Sequence, residues 1–336
     1  MYERYLITGA TGFLGRAVIN ELLLQNKSAQ IYALVQKDDP FIRKLPYDVS
    51  VVFGDLCNDE SLKRFFAHSG PNTCVIHCAG IVSVASNPHY RIYTVNAGGT
   101  INILRYCGEA KVRKLVYVSS VHAIPEKPRG VVITEDTSIS PKLVCGHYAK
   151  TKAIATDLVY ESSRRGLNAS IVFPSGIIGP GDFGKGSMTS MLLSFLSGRL
   201  PVALQGGYDF VDVRDVACGI VDCANKGLPG EGYILSGHYV TIREILDIVK
   251  KERKLNAHPI YLPAKVAALI ASRYEKHCVK HGLPLFFTPY AVSVLNSNGM
   301  FSHEKASELW GYEPRSVEKS LQDTLSWINA YKDELL

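Results

Sequence analysis

Three features are missing from this sequence, and each absence excludes a class of protein. The eight cysteines form no Cys-x-x-Cys pair and none of the spacings typical of a metal site, so we predict no bound metal and expect reduced thiols in a cytoplasmic protein. Strand-forming residues begin almost at the first position, so we expect no signal peptide. The longest apolar run towards the C-terminus, Val266 to Ala271, is far too short to span a membrane.

Concentrated charge is missing as well. The 37 basic and 31 acidic residues are spread along the chain, and no basic run could track a nucleic acid, so nucleic acid is not an expected partner. Internal repeats and low-complexity tracts are absent too. What remains is a chain of 336 residues, 46% of them hydrophobic, which is too long for one small core and predicts a large domain with a smaller second lobe.

The stretch from Tyr5 to Gly15 is the point around which the chain is organised. An apolar run of strand formers ends at Gly9, a turn of glycine and threonine follows, and helical spacing of apolar residues begins at Phe13. Glycines remove every Cβ between the chain and a ligand, and the first turn of the helix offers unpaired N–H groups, which together suit a pyrophosphate. An ordinary turn between strand and helix is the alternative, because the spacing is Gly-x-x-Gly-x-x-Gly and not the more common Gly-x-Gly-x-x-Gly. The residues predicted to hold a dinucleotide here are Gly9, Thr11, Gly12, Phe13, Leu14 and Gly15.

Further strands alternate with helices after this turn, and the carboxyl ends of such strands meet at the edge where a dinucleotide binds. At that edge Asp55, followed by Leu56, could accept a hydrogen bond from the adenine amino group, while Ala79 and Gly80 would let the cofactor approach closely. The predicted strands are Gln30 to Val35, Val49 to Gly54, Thr73 to Gly80, Lys114 to Val118 and Ala169 to Phe173.

The end of the second predicted strand bears on the choice of cofactor. A site that prefers NAD places Asp or Glu there to accept hydrogen bonds from the ribose hydroxyls, whereas this chain has Gln36 and Lys37. A neutral group followed by a cation suits a 2′-phosphate better, so we predict NADP in preference to NAD. The alternative is an exposed polar loop, since Asp38 and Asp39 follow closely.

Tyr148 and Lys152 lie four residues apart in a stretch with helical character that runs on through Tyr160, so they share one face of a helix. A tyrosine hydroxyl has a pKa near ~10, and an ammonium one turn away, together with a cationic nicotinamide, would lower it. The tyrosine could then exchange a proton with a substrate carbinol while a serine at the end of the fifth strand, Ser119 or Ser120, holds the same oxygen.

In this order the motifs resemble those of extended members of the short-chain dehydrogenase/reductase superfamily, the group that includes the NAD-dependent epimerase/dehydratase family. The resemblance covers nearly the whole length of the chain. The matching stretches are 8–15, Asp55-Leu56, 77–80, 96–100, Ser119-Ser120, Tyr148-x-x-x-Lys152, 174–182, 210–217 and 309–314.

Carried over by position, the resemblance implies Tyr148 as catalytic acid or base, Lys152 as its partner and a ribose ligand, and Ser120 as donor to the substrate oxygen. It places Asn96 near the nicotinamide, and it implies a doubly wound parallel sheet of the Rossmann type with helices on both faces. The dinucleotide domain would span residues 1–180 with later strands returning around 205–240, and residues 181–336 would form mainly an α/β substrate lobe. Members of the superfamily commonly pair into homodimers. The residues implied to line the cofactor after the sixth strand are Pro174, Ser175 and Gly176.

Two reactions of this superfamily compete. Sugar-nucleotide epimerases and dehydratases typically carry an Asn where this chain has the Val172 to Gly176 stretch, and dehydratases usually place acidic residues beside the catalytic serine, where this chain has Val121 and His122. The stretch from Pro174 to Asp182 looks instead like dihydroflavonol-reductase-like and 3β-hydroxysteroid-dehydrogenase-like members. We therefore predict transfer of a hydride between NAD(P) and a ketone or secondary alcohol of a fairly apolar small molecule. An NAD-retaining epimerase or dehydratase is the alternative, and a non-catalytic nucleotide sensor is a third.

The last third carries fewer signals. Two amphipathic helices are predicted, from Met188 to Leu196 and from Thr241 to Lys250, the second with Thr241 as its N-cap. The aromatic, proline-interrupted segment Leu283 to Tyr290 could wall an apolar pocket, but ordinary packing of the small lobe is the favoured interpretation.

Overall fold

The fold is described from a computed structural model of the chain, which describes residues 1–87, 90–135, 138–283, 285 and 287–335. Strands and helices alternate through the first two thirds, and helices predominate after that. The strands are β1 Arg4–Thr8, β2 Gln30–Val35, β3 Val49–Phe53, β4 Thr73–His77, β5 Lys114–Val118, β6 Ala169–Pro174, β7 Gly176–Ile178, β8 Val202–Leu204, β9 Gly207–Asp212, β10 Gly232–Leu235, β11 His238–Thr241 and β12 Ile260–Leu262. The helices are α1 Phe13–Gln25, α2 Asp59–Phe66, α3 Arg91–Tyr93, α4 Gly99–Glu109, α5 His147–Arg164, α6 Ser187–Leu196, α7 Val213–Lys226, α8 Ile242–Arg253, α9 Ala264–His281, α10 Pro289–Leu295, α11 Glu304–Trp310, α12 Val317–Ala330 and α13 Lys332–Leu335.

Seven parallel strands form the central sheet in the order β3-β2-β1-β4-β5-β6-β10. Successive side chains of β1 enter opposite cores, Tyr5 and Ile7 on the face covered by α1 and α7, and Leu6 on the face covered by α2, α4 and α5. A strand buried on both faces is apolar along most of its length, which is why these strands have long apolar runs. The predicted doubly wound Rossmann-type sheet is confirmed.

The order of strands reverses between β1 and β4, and a crevice opens there at their carboxyl ends. The glycine turn follows β1, and residues 78–80 follow β4. The strand predicted to reach Gly80 ends at His77, because the chain leaves the sheet at this edge to form the wall of the crevice. An added Cβ at Gly9 would lie 2.6 Å from the Ala79 amide nitrogen, so only glycine permits this approach of the two chains.

Two smaller sheets and the C-terminal helices lie above this edge. One sheet has the order β11-β9-β7 and the other pairs β12 with β8. The two predicted helices are present as α6 and α8, and Thr241 caps α8 in a reciprocal arrangement with Glu244. Within the described residues, no helix combines the length and the apolar character needed to cross a bilayer.

Candidate active site

A cavity of about 540 Å³ lies between the edge of the large sheet and the C-terminal helices. Its walls come from both halves of the chain: the glycine turn at one end, and the side chains of α6, α10 and the small sheets at the other. The sequence-predicted residues that line it are Gly9, Gly12, Phe13, Leu14, Gly15, Gly80, Ser120, Tyr148, Lys152, Pro174, Ser175 and Gly176.

The glycines of the turn present their backbone to the cavity. Gly9 has φ of +70°, and a Cβ on Gly15 would lie 2.0 Å from the Gly9 carbonyl oxygen, so the turn closes on itself only with glycine at both positions. Helix α1 has no side-chain N-cap bond and no acidic residue in its first turn. No side chain of the helix itself therefore competes for its first amides, and Phe13 and Leu14 line the cavity, an arrangement that fits a phosphate group.

Buried Arg16 fixes the outer side of this turn. Its guanidinium donates to the carbonyls of Thr11 and Gly181, which joins the turn to the loop before α6. Burial lowers the pKa of Arg16, while Asp182 and Asp39 oppose that shift. Arg16 was not predicted as a site residue, because a single arginine on a helix does not indicate which loop it will contact.

Ser120, Tyr148 and Lys152 come together at the middle of the cavity. Ser120 lies two residues after the end of β5 and caps a short 3₁₀ turn, Val121–Ala123, where its hydroxyl accepts from the His122 amide at 3.3 Å. Tyr148 and Lys152 project from the same face of α5, and Lys152 Nζ donates to the Val118 carbonyl at 2.7 Å. The neighbouring Ser119 hydroxyl is bonded to Thr156 at 2.6 Å, which leaves Ser120 as the serine beside the tyrosine.

Burial is the main influence on the pKa values of Tyr148 and Lys152. Burial raises the pKa of Tyr148 to about 12, with the Ser120 side chain acting in the opposite direction. Burial also lowers the pKa of Lys152 to about 8, and its ammonium faces a carbonyl and not the phenol. The prediction that Lys152 and a cationic nicotinamide together lower the pKa of Tyr148 stays a prediction, because it concerns the site with its cofactor bound.

The residues predicted at the adenosine end lie outside the cavity walls. Exposed Gln36 donates to Asp55 at 3.0 Å, so the predicted ribose and adenine positions are adjacent, and Lys37 beside them is exposed. Asp39, which was named with the exposed-loop alternative and not as a site residue, accepts a hydrogen bond from the Thr11 hydroxyl at 2.6 Å. The predicted residues that do not line the cavity, as far as the structure describes them, are Thr11, Gln36, Lys37, Asp55, Leu56, Ala79 and Asn96.

Asn96 holds two walls of the site together. It lies in a π-helical turn, Thr94–Gly98, where its side chain accepts from the Ile81 amide at 2.7 Å and donates to the Ile81 carbonyl and the Thr151 hydroxyl. These bonds use its donors and one acceptor for the protein itself. Asn96 thus joins the loop after β4 to helix α5, and because its side chain also lies beside Gly80 and Lys152, its position near the nicotinamide stays a prediction.

Three aromatic residues beside Tyr148 were not predicted as site residues. The His122 ring stacks on Tyr208 with an interplanar angle of 8°, lies 5.9 Å from the Tyr148 ring, and its Nδ1 is 3.3 Å from the Tyr290 hydroxyl. Burial lowers the pKa of His122 to about 4, so the ring is neutral near pH 7. Gly146, with φ of +88°, leaves room for the Tyr290 ring, because a Cβ there would lie 2.3 Å from it.

The rest of the far end is apolar. In the segment 283–290, for which ordinary packing was favoured, Phe287 packs against the cluster of Leu204 and Val292, and Leu285, Phe287 and Tyr290 also line the cavity. Residues 284 and 286 lie outside the described residues. A signal was present in its aromatic residues, but no local pattern told a pocket wall from packing. The apolar lining residues at this end are Val82, Val84, Met188, Met191, Leu200, Val202, Ala203, Leu204, Phe210, Ile242, Leu285, Phe287, Ala291, Val294 and Leu295.

Comparisons with known proteins agree with this geometry. Residues 5–235 match the model of the NAD dependent epimerase/dehydratase family. The chain is 29% identical to sterol demethylase protein B of Methylococcus capsulatus, over 96% of this chain and 97% of that protein. It is 27% identical to a putative dihydroflavonol 4-reductase of Synechocystis, over 98% of this chain and 95% of that protein. The crystal structure of gox2253 superposes with a TM-score of 0.83 at 28% identity, covering 98% of each chain.

These matches confirm the predicted resemblance and the predicted class of enzyme, one that acts on CH–OH groups. The dihydroflavonol-reductase-like character expected from the stretch after β6 agrees with the Synechocystis relative. Because the family match spans the glycine turn, the Tyr148–Lys152 helix and the last strand of the large sheet, the chain belongs to the NAD dependent epimerase/dehydratase family.

Proposed function

We propose that this protein transfers a hydride between a nicotinamide dinucleotide and a ketone or secondary alcohol of an uncharged, apolar small molecule. One observation carries the proposal: the glycine turn, the Ser120–Tyr148–Lys152 group and a largely apolar wall line the same cavity. A dinucleotide site, a proton donor and a substrate pocket are the parts such a reaction needs.

The residues of this chain fit the dinucleotide. The uncapped N-terminus of α1 would bind the pyrophosphate, Gly80 would leave space beside the nicotinamide, and the Lys152 ammonium lies next to Gly80. When bound, the nicotinamide would supply or accept the hydride. The family name is consistent with NAD as cofactor.

Side chains of the protein would transfer the proton to and from the substrate oxygen. The Tyr148 hydroxyl would donate it during reduction and remove it during oxidation, while the Ser120 hydroxyl donates a hydrogen bond to the same oxygen. Since the pKa of Tyr148 is about 12 in this structure, the hydroxyl is protonated near pH 7 and is ready to act as the acid for reduction. Lys152, held by the Val118 carbonyl, would orient the cofactor ribose and favour the phenolate in the reverse direction.

The walls support an uncharged substrate. Within the described part of the chain, Lys152 is the cavity's one lining Lys or Arg, and the neutral His122 lies on the far side of Tyr148. A nucleotide diphosphate would find no cation at the apolar end, which disfavours the sugar-nucleotide alternative. The name of the Methylococcus relative refers to a sterol, a molecule of the apolar class proposed here.

A substrate screen tests the proposal. Purified protein is mixed with NADPH or NADH and with aliphatic, aromatic or steroid ketones, and the loss of reduced nicotinamide is followed by absorbance. We expect turnover with at least one apolar ketone class. Activity on a UDP-sugar, with no ketone turned over and NAD retained through purification, would reverse the ranking in favour of an epimerase.

We further propose a preference for NADP over NAD. Exposed Lys37 beside Gln36 supports it, because a cation and a neutral donor suit a 2′-phosphate. Lys37→Asp should raise the KM for NADPH by about tenfold and change that for NADH less, since one charge-assisted hydrogen bond contributes about 1.5 kcal/mol or more. The matched control is Lys27→Asp, another exposed lysine; equal changes for both cofactors would contradict the preference.

We also propose a homodimer that pairs through α4 and α5, and a cytoplasmic location. Exposed Ile101 on α4 supports the homodimer. The eight unpaired cysteines support the cytoplasmic location, because unpaired thiols suit a reducing compartment. Light scattering of the protein and of Ile101→Glu tests the dimer, which should dissociate in the variant. Cell fractionation tests the location, and recovery with a secreted marker would contradict it.

A further inference from the structure

Helix α9 presents an apolar surface to solvent. Val266, Leu269 and Ile270 lie one turn apart on its N-terminal half, and Leu269 is 80% exposed. Val279 and Leu283 continue the exposed apolar residues at and beyond the other end. Single exposed apolar side chains are common, but five within residues 266–283 indicate a contact surface.

The same helix is strongly basic on its exposed side. Lys265, Arg273, Lys276 and Lys280 are exposed, and no ion pair involves any of them in the part of the chain that the structure describes. The helix has one acidic residue, Glu275, and it faces inward. The outward face therefore has mainly apolar residues in its N-terminal half and mainly cations in its C-terminal half.

The opposite face of α9 belongs to the wall of the cavity. Buried Ala267 and Ala271 pack in one cluster with Leu204 and Phe287, which line the cavity. Glu275 accepts from the Ser86 amide at 2.6 Å and from its hydroxyl at 2.8 Å, and this anchors the loop that carries the cavity residues Val82 and Val84. One layer of side chains thus separates the outward face of α9 from the apolar end of the cavity.

We propose that α9 docks the protein on an anionic phospholipid surface. Its apolar half enters the boundary between headgroups and acyl chains, and its cations meet the lipid phosphates. A symmetric contact between two copies of this face would bring like charges together with no carboxylate on the face to neutralise them, so a membrane fits better than a second copy. Docking would hold the apolar cavity close to lipid, where an apolar substrate concentrates.

Vesicle co-sedimentation of the full-length protein tests the proposal. We expect binding to vesicles of phosphatidylcholine and phosphatidylglycerol in equal parts, little binding to phosphatidylcholine alone, and release as NaCl is raised. Leu269→Glu should reduce the affinity, and the triple variant Arg273→Glu, Lys276→Glu, Lys280→Glu should reduce it on the order of 100-fold. The salt series uses unaltered protein and so does not depend on the variants folding.

The matched control is Leu24→Glu, since Leu24 is 76% exposed on the unrelated helix α1. It should bind vesicles like the unaltered protein. Absence of binding, equal loss in Leu24→Glu and Leu269→Glu, or a dimer in light scattering that Leu269→Glu dissociates would each overturn the proposal. Because neither substrate nor cofactor is present, the assay can fail while the proposed catalytic function holds.

Discussion

The two ends of the cavity are built by different means. At the cofactor end, the glycine turn and the N-terminus of α1 present backbone, and the residues concerned are consecutive in sequence. At the substrate end, side chains from the loop after β4, α6, the small sheets and α10 converge from distant parts of the chain. A site made of backbone needs a fixed local pattern, whereas a wall made of side chains needs only apolar residues in the right places in space.

The largest effect on turnover should come from changing Tyr148, which lies between the two ends of the cavity. Tyr148→Phe should lower kcat by about a thousandfold, because a positioned acid or base contributes between ~10² and ~10⁴. Cofactor binding should persist, since the variant keeps the ring and the glycine turn. Steady-state turnover and fluorescence titration of the reduced cofactor measure the two quantities.

Tyr47→Phe is the matched control for Tyr148→Phe, because Tyr47 is fully exposed. It should retain full activity. Normal turnover in Tyr148→Phe would assign the proton to another group, and an unchanged cellular function despite lost turnover would favour the nucleotide-sensor alternative.

Gly15→Ala tests the backbone-built end. The added Cβ would lie 2.0 Å from the Gly9 carbonyl oxygen, so the turn must open. We expect a loss of about 3 kcal/mol in the free energy of unfolding, measured by urea denaturation, together with loss of dinucleotide binding. Gly108→Ala is the control: no atom lies within 4 Å of its Cβ position, and alanine should stabilise that helix by about 0.5 kcal/mol or more. Tight dinucleotide binding by Gly15→Ala would mean that the turn tolerates a side chain.

This contrast explains how much the sequence could predict. Glycine spacing, apolar runs and the Tyr148–Lys152 interval are local, and they predicted the sheet and the centre of the cavity. The clamp made by Asn96 and the placing of His122 against Tyr208 depend on contacts between segments far apart in sequence. The rise in the Tyr148 pKa that burial causes could not be predicted either, because a spacing of four residues says nothing about how much water remains around a phenol.

The pH dependence of kcat/KM for the cofactor tests the role of Lys152, which lies between the two ends of the cavity. Burial lowers its pKa to about 8, so the ammonium is present below that pH and is lost as the pH rises through it. The pKa of His122 is about 4 and that of Tyr148 about 12, so neither titrates in this window. The kcat/KM for the cofactor should therefore fall above pH 8, by up to about tenfold per pH unit, since this ratio reports groups of the free enzyme.

Two variants identify the group responsible for that pH limb. Lys152→Arg should move the fall to a higher pH, because a guanidinium stays charged, and Lys152→Met should give low values at every pH. A fall near pH 8 that survives in Lys152→Met would assign the titration to a different group.

The smallest expected effect concerns the side-chain-built end. The hydrogen bond between His122 and Tyr290 joins the 3₁₀ turn after β5 to α10 beside Tyr148, and it provides a polar pair in a largely apolar wall. His122→Phe and Tyr290→Phe should each raise the KM for the ketone about fivefold, the value of one neutral hydrogen bond. The double variant should show little further change, because both substitutions remove the same bond. The KM for the cofactor should stay constant in all three, since the glycine turn is untouched; a parallel rise in both KM values would mean that the two ends of the cavity are coupled through this pair and do not act as separate sites.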